Sequence, residues 1–429
     1  MVGISLLWAL FGLLWAQVIA LPKPFLPPLF LAELLGDIPS ATTTERFVVM
    51  IFKETSLLLL AFALVGLLLA AAAYGTGARV GPLVAALLCA VSVTTSLAPT
   101  AEARSVAVAE DIRLSLPGYF AEVPTAGRPP ETETYARSKG GDLKLDVWRP
   151  DAAGGAPAAE GGRPAIIVVH GGGWRSGARG EFPDWNAWLS DEGYVVFDID
   201  YRLAPPPSWQ DAPGDVRCAV AWVKENSDRY GVDPERVALM GRSAGGHLAL
   251  LAAYSEGTSS PTAGCGAQEE RGDTTVAAVA AFYPPTDLAR LSSMGYLGGV
   301  DRFLGGTSRA LPGRYRHSSP VARVGPDDPP TFLVHGGDDE IVPPGESELL
   351  AGRLREVGVP HRYVKLPWAN HTFDFIWGGW GGQITRSSLE EFLDSNLKVQ
   401  GNRPDQARGP DQATDDRPRL ARTFPDTDF

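Results

Sequence analysis

The sequence predicts an α/β domain that follows an all-α, apolar region. Short apolar and β-branched segments, of the kind that form buried strands, alternate with helix-forming segments in the middle of the chain. Apolar runs of nearly transmembrane length come before them. At 429 residues, 45% of them hydrophobic, the chain has room for a membrane anchor and one large α/β domain with its own core.

Three apolar runs dominate the N-terminal region, at about residues 4–21, 56–74 and 81–97. A helix of about 20 residues crosses the hydrocarbon layer of a bilayer, so we predict three transmembrane helices within residues 1–103. Two alternatives stay open. The first run could be a cleaved secretion signal, although it lacks a basic start and a small-residue cleavage site. The runs could also be buried soluble helices, although they show little amphipathic patterning.

Basic residues are distributed unevenly around these runs. Those between the first two runs and after the third are Lys23, Arg46, Lys53, Arg104 and Arg113. Only Arg79 lies between the second and third runs. The positive-inside rule therefore predicts a multi-pass protein with its N-terminus outside and its α/β domain in the cytoplasm. The cysteines agree, because Cys89 lies in an apolar run, and Cys218 and Cys265 are too few for a disulfide framework.

The α/β domain is predicted to span residues 104–399. It starts with a polar, Pro-containing connector at about 104–142, and its first strand is predicted at 143–148. The further elements predicted are parallel strands at 194–200 and 276–283 and a crossover helix at 211–230.

Two segments are expected to lie outside this regular pattern. The Gly/Ser/Arg-rich segment at about 286–330 is too long for a tight turn, and we expect it to form a lid over the site. Residues 400–429 are rich in Asp, Arg and Pro with little apolar content, and we expect a disordered tail there.

The most informative motif is a G-x-S-x-G pattern at 241–245, with Ser243 at its centre. A predicted buried strand at 236–240 precedes it, and a helix-forming segment at 246–254 follows it. A serine between strand and helix sits on a sharp turn that lifts its hydroxyl clear of the backbone, and the flanking glycines avoid collisions there. The pattern alone is common in a Gly-rich chain, but these flanks indicate a nucleophile.

A second motif, His170-Gly171-Gly172-Gly173-Trp174, follows a predicted buried strand at 164–169. A serine that attacks a carbonyl needs donors for the negative oxygen that forms. Consecutive glycines let bare backbone N–H groups approach such an oxygen without obstruction. A flexible turn is the alternative, but the position upstream of the serine motif favours an oxyanion loop.

These motifs, with Asp200-Tyr201-Arg202-Leu203-Ala204-Pro205 between them, resemble the α/β-hydrolase superfamily. The chain is most similar to its hormone-sensitive-lipase-like carboxylesterases and to the related esterase/lipase group that includes isoprenylcysteine methylesterases. The resemblance covers about residues 140–396. It implies a mostly parallel sheet with helices on both faces, a Ser-Asp-His triad and no metal.

The base is chosen by position, because in this fold the chain order is serine, acid, histidine, with each residue following a strand. His317 has no strand before it, and His335 leaves no room for an acid strand. His361 opens a predicted strand rather than following it. His371 comes just after that strand, so we predict that it is the base.

The acid is predicted at Asp339. The stretch from His335 to Pro343 resembles the family pattern H-G-x-x-D-x-x-V-P, which aligns Asp339 with the catalytic aspartate. Asp338 and Glu340 are then expected to face solvent or cap the turn. Asp287 is the main alternative.

We therefore predict a serine carboxylester hydrolase that acts on a small-molecule or lipid-derived ester through an acyl-enzyme intermediate. Ser243 attacks, His371 transfers protons and Asp339 orients His371. The expected oxyanion donors are the N–H groups of Gly172, Gly173 and Ala244, and which two of the three glycines donate stays open. The alternatives are an amide or peptide hydrolase of the same fold, and a catalytically silent membrane scaffold.

Two further features allow more than one interpretation. Arg242, beside the nucleophile, either favours anionic substrates or points away and pairs with a surface acid. The segment from Trp377 to Trp380 could line a pocket, form an interfacial loop at the membrane, or pack into the core.

Other chemistries find little support in the sequence. There is no H-E-x-x-H, no C-x-x-C and no His/Cys cluster, so neither a metal nor a cofactor is predicted. Gly75-Thr76-Gly77 misses the spacing of a dinucleotide-binding loop. The net charge of -12 argues against binding to nucleic acid.

Overall fold

The computed structural model describes residues 2–20, 49–121, 130–138, 140–150, 161–254, 272–294 and 299–398. They form a sheet of eight strands with helices packed on both faces, together with long apolar helices that contact the same domain. The tail at 400–429, expected to be disordered, lies outside the described residues, as do Lys23, Arg46 and Cys265.

The sheet is mostly parallel. Its strands are β1 (Glu131–Ser138), β2 (Gly141–Trp148), β3 (Arg163–Val169), β4 (Val195–Ile199), β5 (Val232–Arg242), β6 (Ala278–Phe282), β7 (Thr331–Gly336) and β8 (His361–Leu366). Their order across the sheet is β1-β2-β4-β3-β5-β6-β7-β8. Strand β2 pairs antiparallel with β1 and β4, and all the other pairs are parallel. Burial on both faces explains why the parallel strands are nearly continuous apolar runs.

The start of the domain differs from the prediction. Strand β1 lies inside the stretch at 104–142 that we expected to be a connector, so the strand predicted at 143–148 is the second of the sheet. As an edge strand β1 buries fully only Tyr135 and Ala136, and its other positions carry polar or charged residues. Little apolar alternation was therefore present to indicate a strand.

The helices connect and cover the strands. They are α1 (Val2–Ala20), α2 (Ser56–Gly75), α3 (Val80–Ala109), α4 (Leu116–Ala121), α5 (Pro183–Asp191), α6 (Asp211–Glu225), α7 (Ser227–Tyr230), α8 (Ala244–Ala253), α9 (Leu288–Ser293), α10 (Val300–Leu304), α11 (Pro312–His317), α12 (Gly345–Val357) and α13 (Trp380–Leu397). Short 3-10 turns occur at Pro320–Ala322 and Phe373–Phe375. The crossover helix predicted at 211–230 is present as α6 and α7.

Two hydrophobic clusters cover the two faces of the sheet. Neighbouring strand residues point to opposite faces, and accordingly Ile167 lies in the cluster with α6 and α8, whereas Ile166 lies in the cluster with α5 and α13. Parallel pairing brings the carboxyl ends of β3, β5, β6, β7 and β8 to one edge. The loops that follow these strands therefore meet there.

The three apolar helices α1, α2 and α3 pack against one another. The ring of Trp8 stacks on Phe62 with centroids 4.2 Å apart, and its Nε1 donates to the Phe62 carbonyl at 2.9 Å. Their outer faces are apolar and open, since Leu7, Leu68 and Leu87 are 66–72% exposed.

Two of these helices, α2 and α3, are long and apolar enough to cross a membrane. They correspond to the second and third predicted runs. The first run is helical as α1. Within the described residues, the apolar stretch of α1 at Val2–Leu13 is shorter than α2 and α3. Helix α3 continues to Ala109, past the predicted end at residue 97, so the boundary predicted at 103 falls inside a helix.

The domain-side ends of α2 and α3 are part of the domain core. Leu57, Ala103 and Ala107 belong to the same hydrophobic cluster as α13. The Trp380 indole donates to Thr100 Oγ1 at 3.0 Å, and Arg362 bonds Glu110 at 2.7 Å. The apolar helices and the α/β domain therefore share one interface.

The described part of the segment at 286–330 is helical and packed. Helices α9, α10 and α11 contribute Leu288, Phe303 and Tyr315 to the core, each fully buried. Its length reflects these short helices rather than an irregular loop. Its action as a lid remains a prediction.

Cys218, on α6, is disulfide-bonded, whereas Cys89 is a free cysteine. The sequence led us to expect no disulfide framework, and a single bonded cysteine among the described residues is compatible with that expectation.

Candidate active site

Ser243 lies at the turn between β5 and α8. Its backbone has φ 52° and ψ -119°, a conformation that L residues rarely adopt. The turn is closed by glycines, because a Cβ on Gly245 would lie 2.2 Å from the Val169 carbonyl oxygen and one on Gly241 would lie 2.3 Å from that of Gly245. In a strained turn of this kind, with the strand and the helix packed closely together, the serine side chain is held clear of the backbone.

The His371 imidazole links Ser243 to Asp339. His371 Nε2 is 2.9 Å from Ser243 Oγ, and its Nδ1 is 2.6 Å from Asp339 Oδ2. Because Nδ1 faces a carboxylate it carries the proton, and Nε2 is left to accept from the serine hydroxyl. The ring packs at 4.4 Å from the Tyr283 ring and is nearly buried.

The Asp339 carboxylate is buried and fully hydrogen-bonded. Its Oδ1 accepts from the N–H groups of Ile341 and Val342 at 2.8 and 2.9 Å, and its Oδ2 also lies 3.3 Å from His335 Nε2. Burial by itself raises the pKa of Asp339, but the charge and hydrogen bonds of His371 and His335 outweigh it and hold the pKa below its ordinary value. The carboxylate is therefore ionised beside His371 at neutral pH.

The alternative acids lie elsewhere. Asp338 and Glu340 are exposed, and Asp287 caps helix α9 by accepting from the N–H groups of Ala289 and Arg290. Among the other histidines, His317 is exposed and stacks edge-on against Trp209, and His361 bonds the Val359 carbonyl. The structure thus brings together Ser243, His371 and Asp339 and leaves these candidates apart.

The glycine-rich loop after β3 lies beside the serine. A Cβ on Gly171 would be 3.6 Å from Ser243 Cβ. Gly172 and Gly173 have φ of 98° and 60°, and an added Cβ on Gly172 would meet the Ser176 carbonyl at 2.0 Å. Within the described part of the chain, neither of their N–H groups donates a hydrogen bond. Ala244 is the first residue of α8 and directly follows Ser243, so its N–H is one of the helix N-terminal groups that have no partner within the helix.

Comparison with known proteins agrees with this geometry. The BD-FAE family matches residues 146–354. The chain is 34% identical over 256 residues to the probable carboxylic ester hydrolase LipM of Mycobacterium tuberculosis, covering 58% of this chain and 57% of that protein. It is 35% identical over 237 residues to the esterase LipQ of the same organism, covering 54% of each. The chain thus spans a little over half the length of these curated relatives.

A solved structure matches the domain as a whole. The thermophilic esterase Est2 of Thermogutta terrifontis superposes with a TM-score of 0.52 at 26% identity, over 68% of this chain and 99% of that one. The chain adopts the α/β-hydrolase fold. The resemblance expected from the motifs is therefore confirmed, together with the mostly parallel sheet.

Arg242 of this α/β-hydrolase points into the core, not toward the site. Its Nε is 2.5 Å from Asp374 Oδ2, and its guanidinium lies over the Phe182 ring at 4.1 Å. Asp374 also accepts from the Tyr283 hydroxyl at 2.6 Å. The expected partner acid is therefore present but buried rather than on the surface, and at 2% exposure Arg242 is not available to an anionic substrate.

His247, in the first turn of α8, joins three parts of the domain. The Trp174 indole donates to His247 Nδ1 at 3.1 Å, and His247 Nε2 is 2.7 Å from the Ser318 carbonyl. Burial lowers its pKa to about 4, against the hydrogen bond to Ser318, so the ring is neutral at neutral pH. It fixes the glycine-rich loop and the segment at 286–330 around the elbow.

Three roles were missed at the level of sequence. His335 supports Asp339, and the family pattern that starts with this histidine was the available signal. Asp374, which pairs with Arg242, and Lys53, whose Nζ lies 2.5 Å from Asp338 Oδ2, gave no signal, because these contacts join segments far apart in the chain. Trp377 and Trp380 lie in the core, at 8% and 4% exposure, so of the three interpretations core packing is the one observed.

Among the described residues no cluster of potential metal ligands is found.

Proposed function

We propose that this α/β-hydrolase is a serine carboxylester hydrolase that works through Ser243, His371 and Asp339. The observation that carries the proposal is the continuous path of hydrogen bonds, 2.9 Å from Ser243 Oγ to His371 and 2.6 Å from His371 to Asp339. The relatives named as a carboxylic ester hydrolase and as esterases support it.

The proposed reaction has two halves. Ser243 Oγ attacks the ester carbonyl carbon while its proton passes to His371 Nε2, and the intermediate then breaks its C–O bond as His371 protonates the leaving alcohol. In the second half, water gives a proton to His371 and attacks the acyl-serine, which releases the carboxylic acid and returns the proton to Ser243. Asp339 stabilises the charged imidazole in both halves.

The negative oxygen of each intermediate is proposed to lie among the N–H groups of Gly172, Gly173 and Ala244. The unengaged glycine N–H groups and the start of α8 beside Ser243 support this assignment. Each such donor contributes about 3–4 kcal/mol to the stabilisation of the transition state.

An apolar, lipid-derived ester is the proposed substrate class. The open apolar faces of α2 and α3 support it, because they give the domain a place beside a lipid phase. The segment at 286–330 is proposed to act as a lid and to shape the acyl pocket, since Phe303 stacks on Trp174 at 4.9 Å. Turnover of esters with acyl chains of two to sixteen carbons tests this proposal, and activity on short chains alone would refute it.

Two other functions use the same scaffold. An amide or peptide hydrolase would need the same three side chains, so turnover of an amide and an ester with one acyl group separates the two. A silent scaffold would have no physical need for all three side chains at bonding distance.

Labelling with a fluorophosphonate probe tests the central proposal. The full-length protein should react at one serine, and Ser243→Ala should abolish the reaction. Ser395→Ala is the matched control, because Ser395 is exposed on α13 and its hydroxyl bonds only the Glu391 carbonyl among described residues. Labelling that survives in Ser243→Ala would refute the proposal.

We also propose a multi-pass anchor in which α1 joins α2 and α3 in the membrane. For the side on which the domain lies, the basic residues and the Cys218 disulfide predict opposite answers. We favour the oxidising side, because a disulfide persists mainly in an oxidising compartment, whereas the charge asymmetry rests on only six basic residues. A cysteine placed at Ser395 should then react with an impermeant maleimide on intact cells, and reaction only after lysis would place the domain inside.

A further inference from the structure

One contact joins the N-terminal region to both loops that carry the proposed acid and base. Lys53 belongs to the helical residues 49–54 that precede α2. Its Nζ is 2.5 Å from Asp338 Oδ2 and 3.5 Å from Asn370 Oδ1. Asp338 directly precedes Asp339, and Asn370 directly precedes His371. A single ammonium group therefore bridges the chain positions next to two members of the triad.

This ammonium is not a surface charge. Lys53 is 4% exposed, whereas the Asp338 side chain retains 50% of its exposure. Removing a charge from water is costly unless the charge is paired and hydrogen-bonded. The buried amine is therefore held to the carboxylate and the amide, and it cannot exchange them freely for water.

The two loops are also in contact with each other. The Asp338 N–H donates to the Ala369 carbonyl at 3.0 Å, and a Cβ on Gly336 would lie 2.3 Å from the same oxygen. Backbone contacts thus fix the loops on one side. Lys53 joins the same two loops again, through the side chains of Asp338 and Asn370.

The neighbouring Glu54 strengthens this arrangement. Its carboxyl accepts from the Trp368 indole at 3.1 Å and from the Gly381 N–H at 3.2 Å, and Trp368 lies three residues before His371. Burial raises the pKa of Glu54 to about 8, against these hydrogen bonds and the charge of Lys53. Glu54 is thus largely uncharged at neutral pH, and the carboxylate in direct contact with Lys53 is that of Asp338.

We propose that Lys53 is a positioning residue for the triad. The segment 49–54, at the entrance to α2, holds the loops of Asp339 and His371 at the separation that proton transfer requires. The proposal rests on the proposed serine hydrolase function. It makes the N-terminal helical region part of the catalytic apparatus rather than a passive tether.

The test is steady-state kinetics on the full-length protein, with active sites counted by fluorophosphonate titration. In Lys53→Met the aliphatic stem remains but the charge is lost, and kcat should fall about 10- to 100-fold, as expected for a small displacement of reacting groups. KM should stay within about twofold, because among the described residues the side chain of Lys53 bonds Asp338 and Asn370 rather than the glycine-rich loop. Lys53→Arg should restore most of kcat.

Two further variants make the result specific. Asp338→Asn removes the same ion pair from its exposed side, so it should lower kcat similarly, and the double variant should lose little more than either single one. Arg79→Met is the matched control, because Arg79 is an exposed basic residue between α2 and α3, and it should behave as wild type.

The outcomes separate this proposal from the proposed function. If wild type turns over esters but Lys53→Met keeps its kcat per titrated site, the positioning role is wrong and the triad stands. If Lys53→Met does not accumulate as folded protein, Asp338→Asn decides, and an unchanged kcat there refutes the positioning role. If Ser243→Ala remains active, the proposed function itself fails.

Discussion

At the scale of single residues, the site depends on side chains held by more contacts than their sequence neighbours reveal. Ser243 keeps a rare backbone conformation because Gly241 and Gly245 allow the strand and helix to close around it. Asp339 is held by two backbone N–H groups and by His335 before it meets His371. This preorganisation means that substitutions should act on orientation as much as on charge.

Asp339→Asn should reduce kcat by about 10⁴-fold, because an amide no longer holds the imidazole in the tautomer that accepts from Ser243. KM should change little. Glu340→Gln is the control, since Glu340 is the exposed neighbour in the same turn. Equal losses in both variants, measured with one ester, would contradict the assignment of the acid.

Arg242→Met should lower the stability of the protein, not its chemistry. The substitution leaves the Asp374 carboxylate buried without its cation, a change that costs about 3–5 kcal/mol. Adding Asp374→Asn removes the unpaired charge, so the double variant should lose less stability than the sum of the two single variants. Thermal melting measures this, and strictly additive losses would show that the pair is not coupled.

At the scale of elements, the loops after β7 and β8 are fixed by helical segments from the other end of the chain. The Tyr119 hydroxyl, on α4, donates to the Glu54 carbonyl at 2.6 Å and so ties the segment 49–54 to the end of the apolar region. The Glu54 carboxyl then bonds Trp368 and Gly381. Stability of this junction should therefore follow the ionisation of Glu54.

Glu54→Gln should change how stability depends on pH. The folded-state pKa of Glu54 is raised to about 8, above its unfolded value near 4.5, so the folded protein binds the extra proton between these values. The contribution of Glu54 to stability is then full below about pH 4.5 and is lost as pH rises toward 8. Relative to Glu54→Gln, wild type should lose roughly 5–10 °C in melting temperature across that range.

The melting temperatures of wild type and Glu54→Gln must be compared at each pH, so that the effects of other titrating groups cancel between the two proteins. Lys365→Gln serves as a control, because Lys365 forms an exposed ion pair with Glu348. A constant difference between wild type and Glu54→Gln from pH 5 to 8 would mean that the carboxyl ionises normally in the folded state.

At the scale of the whole molecule, an apolar helical region and an α/β domain share one core. The ends of α2 and α3 pack under α13 and β8, while their outer faces expose large apolar side chains. The domain core alone accounts for the hydrolase fold. The exposed apolar faces are explained if lipid covers them.

The full-length protein should therefore stay with the membrane after washes in high salt and in alkaline carbonate, and detergent should release it. A surface-bound protein held by charge would leave in salt. Fractionation followed by immunoblotting measures this outcome. Release by carbonate would contradict insertion of α2 and α3.

Much of this protein is determined by local sequence. Buried strands followed by Gly-rich turns identify the edge of the sheet, and the order of Ser243, Asp339 and His371 follows from which residues come after those strands. Strand β1 escaped because an edge strand needs little apolar patterning. The Cys218 disulfide and the burial of Arg242 escaped because neither is encoded by a local pattern.

Only the tertiary structure decided which distant groups meet. Lys53 joins Asp338 and Asn370 across about 300 residues of chain, and Arg242 meets Asp374 across the core. Local patterns report on propensity and burial, which are properties of neighbouring residues. Long-range polar contacts depend on how whole elements pack, so they become visible only when the chain is folded.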